Sequence, residues 1–240
     1  MWERNELKGN AKAVLKGNYW KAVVGALIIG ALTGGSAAAG NNSVQNNAEG
    51  LGLSEFTSVF GPMGADNLEG MFSAFLLLIP ALIIALAFSL CIAIFLKNPL
   101  LVGTDKMFIN CKTGEANYKD IISAFKKGVY FNTVKVIFFQ HLFTFLWSLL
   151  FVIPGIVKAY EYRMIPYIMA ENPNMDRAEA FAKSKEMMTG NKWKTFVLDL
   201  SFIGWFFLSA LTLGILNIFY VMPYYLLTDT ELYYALKEQN

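Results

Sequence analysis

Four long apolar blocks constrain this chain more than any other feature. Tyr19 to Ala39, Met71 to Leu96 and Asn132 to Ile153 each approach the length of a membrane span. A longer one, Thr195 to Leu227, carries Leu213-Gly214 near its middle and reads as two short spans joined by a turn. A bilayer core of about 30 Å takes about 20 helical residues, and only helices or closed barrels satisfy their backbone polar groups there. The blocks therefore predict membrane helices. Composition agrees, since 55% hydrophobic against 16% charged residues and a mean hydropathy of +0.43 fall outside the soluble range.

Charge sets orientation. Twenty Lys and Arg against 18 Asp and Glu leave a net charge of +2, too balanced for a nucleic-acid binder. Lys and Arg in short loops stay on the cytoplasmic side. They cluster in residues 1–21 (Arg4, Lys8, Lys12, Lys16, Lys21), in 97–135 (Lys97, Lys106, Lys112, Lys119, Lys126, Lys127, Lys135) and in 171–194 (Arg177, Lys183, Lys185, Lys192, Lys194). These three regions are predicted inside. The connector 40–70 has no Lys or Arg but carries Glu49, Glu55, Asp66 and Glu69, and is predicted exoplasmic. Between the last two inside regions, residues 154–170 are apolar but charged; they either cross fully or form a re-entrant loop with the preceding span. The basic start and the stretch Ser36-Ala37-Ala38-Ala39-Gly40 also resemble a cleavable signal peptide. The first span is nevertheless expected to be retained, because it opens with a repeated motif.

The motif is Gly followed three residues later by a large aromatic: Gly17-Asn18-Tyr19-Trp20, Gly128-Val129-Tyr130-Phe131 and Gly190-Asn191-Lys192-Trp193. Each follows a polar stretch and opens an apolar one, where Gly can cap a helix and an aromatic ring can sit at headgroup depth. Further on come Pro99, Pro166 and Pro223, and Pro99-Leu100-Leu101-Val102-Gly103-Thr104-Asp105 aligns with Pro223-Tyr224-Tyr225-Leu226-Leu227-Thr228-Asp229. The predicted fold is all-α and integral to the membrane: six transmembrane helices as three hairpins, each preceded by an amphipathic interfacial helix. Residues 1–240 form a single polytopic domain with repeat units of about 1–105, 106–172 and 173–240. Both termini are predicted cytoplasmic at the cell membrane.

In the first polar stretch Arg4, Lys8, Lys12 and Lys16 form an i,i+4 stripe beside Leu7, Ala11, Val14 and Leu15, a candidate lipid-facing surface for an anionic leaflet. In the second, Tyr118, Ile121, Ile122, Phe125 and Val129 are expected on one helical face. In the third, Asp176 is expected to cap a helix that presents Ala180, Phe181, Ser184, Met187 and Met188 together and ends at Gly190.

These residues also carry a resemblance. Met1-Trp2, Leu15-Lys16-Gly17-Asn18-Tyr19-Trp20-Lys21-Ala22, Leu146-Trp147-Ser148-Leu149, Ile153-Pro154-Gly155-Ile156, Tyr162-Arg163-Met164, Ala170-Glu171-Asn172-Pro173 and Val197 to Trp205 resemble a bacterial integral membrane family catalogued as domain of unknown function 975. The succession Pro154-Gly155, Arg163, Pro166, Glu171, Ser184, Gly190 and Trp193 is similar to the membrane domain fused to some glycerophosphodiester phosphodiesterases. The resemblance implies a location and a fold, and no activity.

Catalytic motifs are absent: no His-Glu-x-x-His, Gly-x-Ser-x-Gly, Walker loop or Gly-x-Gly-x-x-Gly occurs. The chain is expected to be no enzyme, with no cofactor, no metal and no disulfide between Cys91 and Cys111. Charges inside apolar segments are the better clue, since each costs about 2.5–3.5 kcal/mol to insert. The candidate polar cluster is His141, Lys158, Glu161, Arg163 and Asp199. Lys158 and Glu161 are i,i+3 and can pair, while Arg163 points away from Glu161 and needs a partner on another span, with Asp199 favoured over Glu171. Two functions follow from these residues. One is a non-enzymatic membrane module that binds lipid, another membrane protein or a second copy of itself; the other is a small-solute carrier or channel.

Overall fold

A computed structural model of the chain describes residues 2–33 and 68–239, whose regular elements are all helices, with no strand among them. The predicted connector, apart from its last residues, and the stretch Ser36 to Gly40 lie outside the described residues. The described chain divides into two compact units, one of residues 2–33 and 94–239 and one of residues 68–93. The smaller is helix α3, Leu68–Ile92. Its consecutive Leu82, Ile83 and Ile84 are all exposed, so the helix is apolar right around its circumference, which suits an apolar surrounding and not water.

The larger unit is built around three helices that begin in the same way: α4 (Asn98–Thr113), α7 (Ile165–Glu171) and α11 (Met222–Lys237) each carry proline in the first turn, as Pro99, Pro166 and Pro223. Proline there lacks only an N–H that has no partner in the helix, and its fixed φ favours the start. The chain enters α4 and α11 through π-helical turns, Ala93–Lys97 and Asn217–Val221, and enters α7 through the non-helical turn at 162–164. Helix α4 packs on both α7 and α11, and Tyr167 of α7 stacks on Tyr233 of α11 with ring centroids 5.3 Å apart.

Other helices wrap this centre. Helix α1 (Arg4–Gly17) buries Leu7, Ala11 and Leu15, spaced at four, against α11. Helix α2 (Tyr19–Thr33) packs on α4 and α11. Helix α5 (Tyr130–Leu150) folds back on α6 (Val152–Glu161) at the extended residue Phe151. Asp176 caps α8 (Arg177–Met188) by accepting from the Ala178 N–H at 3.0 Å, and α8 buries Ala180, Ser184, Met187 and Met188 in the protein. Helices α9 (Lys192–Leu200) and α10 (Ile203–Leu211) follow.

Four expectations need correction. Among the described residues three helical stretches, not six, are long and apolar enough to cross a membrane: Leu78–Thr113, Tyr130–Leu150 and Lys192–Leu211, with Tyr19–Leu32 apolar but shorter. Residues 154–170 fail because the turn at 162–164 cuts them into α6 and α7, of 10 and 7 residues. At 1.5 Å per residue neither covers about 30 Å. Residues after Leu213 and Gly214, which turn the chain at φ 52° and 82°, are divided among a short link, a π turn and the buried α11. Secondly, no amphipathic helix fills 118–129: two 3-10 turns, Tyr118–Asp120 and Ser123–Phe125, stand there, and Tyr118 and Ile122 are exposed while Ile121 is buried. Asp120 accepts from the Asn117 N–H at 3.0 Å and from the Asn110 side chain at 2.9 Å, tying this segment to α4. Thirdly, Gly128 and Gly190 take positive φ, but Gly17 is the last residue of α1 and does not. Fourthly, the apolar faces of α1 and α8 are turned into the protein and not toward a leaflet.

Gly103 permits the close approach of the 3-10 segment to α4. A Cβ there would overlap the Ile121 carbonyl oxygen, a backbone atom that cannot swing aside. Gly103→Ala should therefore lower stability by about 1–3 kcal/mol, the usual cost of forcing a methyl into a filled site. Thermal unfolding of the purified protein in detergent measures it; an unchanged midpoint would contradict the packing.

Candidate functional site: an arginine between two aspartates

Arg163 lies in the turn between α6 and α7, its side chain 15% exposed. Nη1 donates to Asp199 Oδ2 at 2.6 Å and Nη2 to Asp199 Oδ1 at 3.0 Å, the two-pronged geometry for which guanidinium and carboxylate are matched. Nε donates to Asp229 Oδ1 at 2.9 Å, and Nη2 also donates to the Tyr225 hydroxyl at 3.0 Å. Three tyrosines complete the shell: Tyr160 and Tyr225 donate to Asp199 at 2.8 and 3.1 Å, and Tyr167 donates to Asp229 at 3.1 Å. The ends of α6 and α7 are thereby joined to α9 and α11. Asp105 of α4, 4% exposed, lies within electrostatic reach of Asp229.

A second node is centred on Glu161, which receives Lys158 at 2.6 Å from its own helix and Lys192 at 2.5 Å from the start of α9. Its backbone carbonyl accepts from Ser184 of α8 at 2.8 Å. Glu171, the weaker candidate partner of Arg163, is instead held by Tyr233 at 2.8 Å and Lys237 at 2.6 Å. Burial, and after it the bond to Glu171, pushes the Tyr233 phenol well up, so it stays a neutral donor.

The structure thus brings Arg163 to Asp199 and Lys158 to Glu161. It leaves His141 apart, exposed on α5, where its neighbour Gln140 donates to the Tyr162 carbonyl at 3.1 Å. Asp229, Tyr225, Tyr160, Tyr167 and Lys192 were not expected in the cluster. Asp229 carries a signal all the same, because it holds the place after Pro223 that Asp105 holds after Pro99, and those two aspartates lie within electrostatic reach of each other. Among the described residues no three His, Cys, Asp or Glu side chains converge to hold a metal.

The basic stripe of α1 is divided in use. Arg4, Lys12 and Lys16 are exposed, but Lys8 folds back: its Nζ donates to the Ser201 carbonyl at 3.3 Å and lies 4.2 Å from the Phe202 ring centre. Burial, then the charges of Arg4 and Lys12, lowers the Lys8 pKa. Lys12 lies 5.6 Å from the Tyr224 ring centre.

Residues 149–240 match the model of a family described as Protein of unknown function (DUF975). The match supports the family that the sequence resembles. It covers less than half of the chain but includes all of α6 to α11 and every residue bonded to Arg163. No curated protein and no solved structure matches the chain.

Removing the guanidinium leaves two facing aspartates, whereas removing Asp199 leaves Arg163 still bonded to Asp229. Arg163→Gln should cost about 3–5 kcal/mol, as for a broken buried pair. Asp199→Asn should cost about 1–2 kcal/mol, as for weakened charged hydrogen bonds. Exchanging the two charges, Arg163→Asp with Asp199→Arg, should recover only part of the loss, because Asp229 then faces a second carboxylate. Abundance in membranes and unfolding midpoints in detergent read all three, and full recovery by the exchange would remove Asp229 from the cluster.

Proposed function

We propose that this chain is a multi-pass protein of the cell membrane, with both termini cytoplasmic because each long stretch is paired with a shorter apolar segment that returns the chain (Tyr19–Leu32, α6 and the link after Gly214), and that it acts as a non-enzymatic module binding lipid, another membrane protein or a second copy of itself. The likeness to the membrane domain of glycerophosphodiester phosphodiesterases and a bacterial source belong to the same proposal. The observation that carries it is the segregation of apolar from charged surface. At the α5–α6 turn Leu149, Leu150, Phe151, Val152 and Ile153 are all exposed, and Leu211, Leu213 and Ile215 are exposed beyond α10. Water would penalise each such side chain by about 1.5–3 kcal/mol relative to burial, and a bilayer would not. Exposed apolar patches of this kind mark a membrane or partner surface.

The central cluster supports a structural role over a solute pathway. Each nitrogen of Arg163 donates inside the protein, to Asp199, Asp229 or Tyr225, so its charge is met by the helices around it. A carrier would instead present polar groups toward a passage.

Single cysteines in a chain freed of Cys91 and Cys111 test the reading. Ile153 is 75% and Leu211 80% exposed on the protein surface. Cysteine at either position should resist a water-soluble maleimide in membranes and react once the protein is unfolded. Cysteine at Lys183 should react only from the cytoplasmic side, and at Ser58 only from the outside. Ready labelling of the two apolar tips in intact membranes would refute membrane insertion, and same-side labelling at Lys183 and Ser58 would refute the topology.

A further inference from the structure

A cavity of about 420 Å³ opens between the beginning of α1 and the beginning of α9. Its walls include Trp2, Glu3, Arg4 and Asn5 on one side and Trp193 and Lys194 on the other. Trp2 is buried and fixed by the bond from its indole N–H to Asn191 Oδ1 at 3.2 Å, whereas Trp193 is 73% exposed at the rim. Among the described residues Arg4 and Lys194 form no ion pair, unlike Lys158, Lys192 and Arg163, whose charges are all met inside the protein. Two unpaired cations against the single carboxylate of Glu3 make the cavity complementary to one negative charge.

Its position selects the form of that charge. Lys192–Leu211 is one of the stretches able to cross a membrane, and the cavity sits at its first turn, where a tryptophan indole suits headgroup depth. Below the rim the exposed side chains follow one another at spacings of three and four: Trp193, Phe196 and Leu200 on α9, then Ile203, Phe207 and Leu211 on α10. That spacing lays an apolar stripe along the stretch from the cavity downward. A cationic pocket above an apolar stripe has the two halves of a lipid's chemistry. The geometry points to a binding site for the phosphodiester headgroup of an anionic glycerophospholipid, held by Arg4 and Lys194, with its acyl chain along Phe196, Leu200 and Phe207. Glu3 and Asn5 offer acceptors to headgroup hydroxyls. The assignment rests on the membrane-module reading and gives it a ligand class and an address.

Native mass spectrometry of the full chain in detergent, offered equal amounts of phosphatidylglycerol and phosphatidylcholine, tests it. The unaltered protein should retain phosphatidylglycerol in preference. Arg4→Gln and Lys194→Gln should each weaken retention about fivefold, and the pair about twentyfold, as for cations near an anionic surface. Arg4→Lys with Lys194→Arg should keep it, and Trp193→Ala should weaken both lipids alike. These side chains lie on the surface, so unfolding midpoints should match the parent; if the double Gln variant fails to fold, the single variants and Trp193→Ala carry the test. Preference for phosphatidylglycerol that survives every variant would overturn this site while leaving lipid binding intact. No preference in the unaltered protein would count against the lipid arm of the module reading as well. Complete displacement of the lipid by millimolar inorganic phosphate would show a free-phosphate site and overturn the lipid assignment.

Discussion

The larger unit depends on one guanidinium. Arg163 sits where the helix breaks between α6 and α7, next to the fully buried Met164, and its charge must find partners or remain costly among apolar helices. It finds Asp199 and Asp229 on two further helices, and tyrosine hydroxyls occupy the remaining carboxylate lone pairs. Planarity matters, because five fixed donors can be shared between two carboxylates in a way that a lysine ammonium cannot. Asp199 and Asp229 share this one cation, which makes the single arginine indispensable to both.

Smaller nodes repeat the principle. Glu161 gathers Lys158 and Lys192, Glu171 gathers Tyr233 and Lys237, and Glu231 accepts Lys112 at 2.9 Å. These contacts join α6 to α9, α7 to α11 and α4 to α11. The turns at Phe151 and Leu213 have no such charges and end in exposed apolar residues. Ion pairs thus organise one part of this unit, where water or headgroups can reach some of the lysines. Apolar surface dominates the turns, where a bilayer would supply the missing packing.

Much of the charged architecture was legible from residue spacing. Lys158 and Glu161 are one helical turn apart, and Arg163 could be assigned to Asp199 because its own helix offered no acid on the right face. Asp229 was not legible as a partner, since its contact with Arg163 depends on how α11 packs across the unit. Apolar length predicts more spans than the described helices supply because hydropathy does not measure helix continuity; the break at 162–164 stands where Pro166 has no N–H for the Tyr162 carbonyl and its ring would clash with it in an unbroken helix. The 118–129 segment has helical periodicity, but the bonds of Asn117 and Asp120 and the contact at Gly103 hold it in short turns. The i,i+4 spacing of Lys8 points to a lipid-facing side chain, yet its ammonium lies over the Phe202 ring, a contact that no local pattern encodes.

If Arg163 joins separate helices, removing it must loosen segments far from it in sequence. Hydrogen exchange of the full chain in lipid nanodiscs, compared between the parent and Arg163→Gln, measures this directly. The account predicts that protection falls together in the α6–α7 turn, in α9 around Asp199 and in α11 around Asp229, with α1 following because it packs on α11. Faster exchange confined to the residues next to Arg163, with α9 and α11 as protected as before, would contradict it.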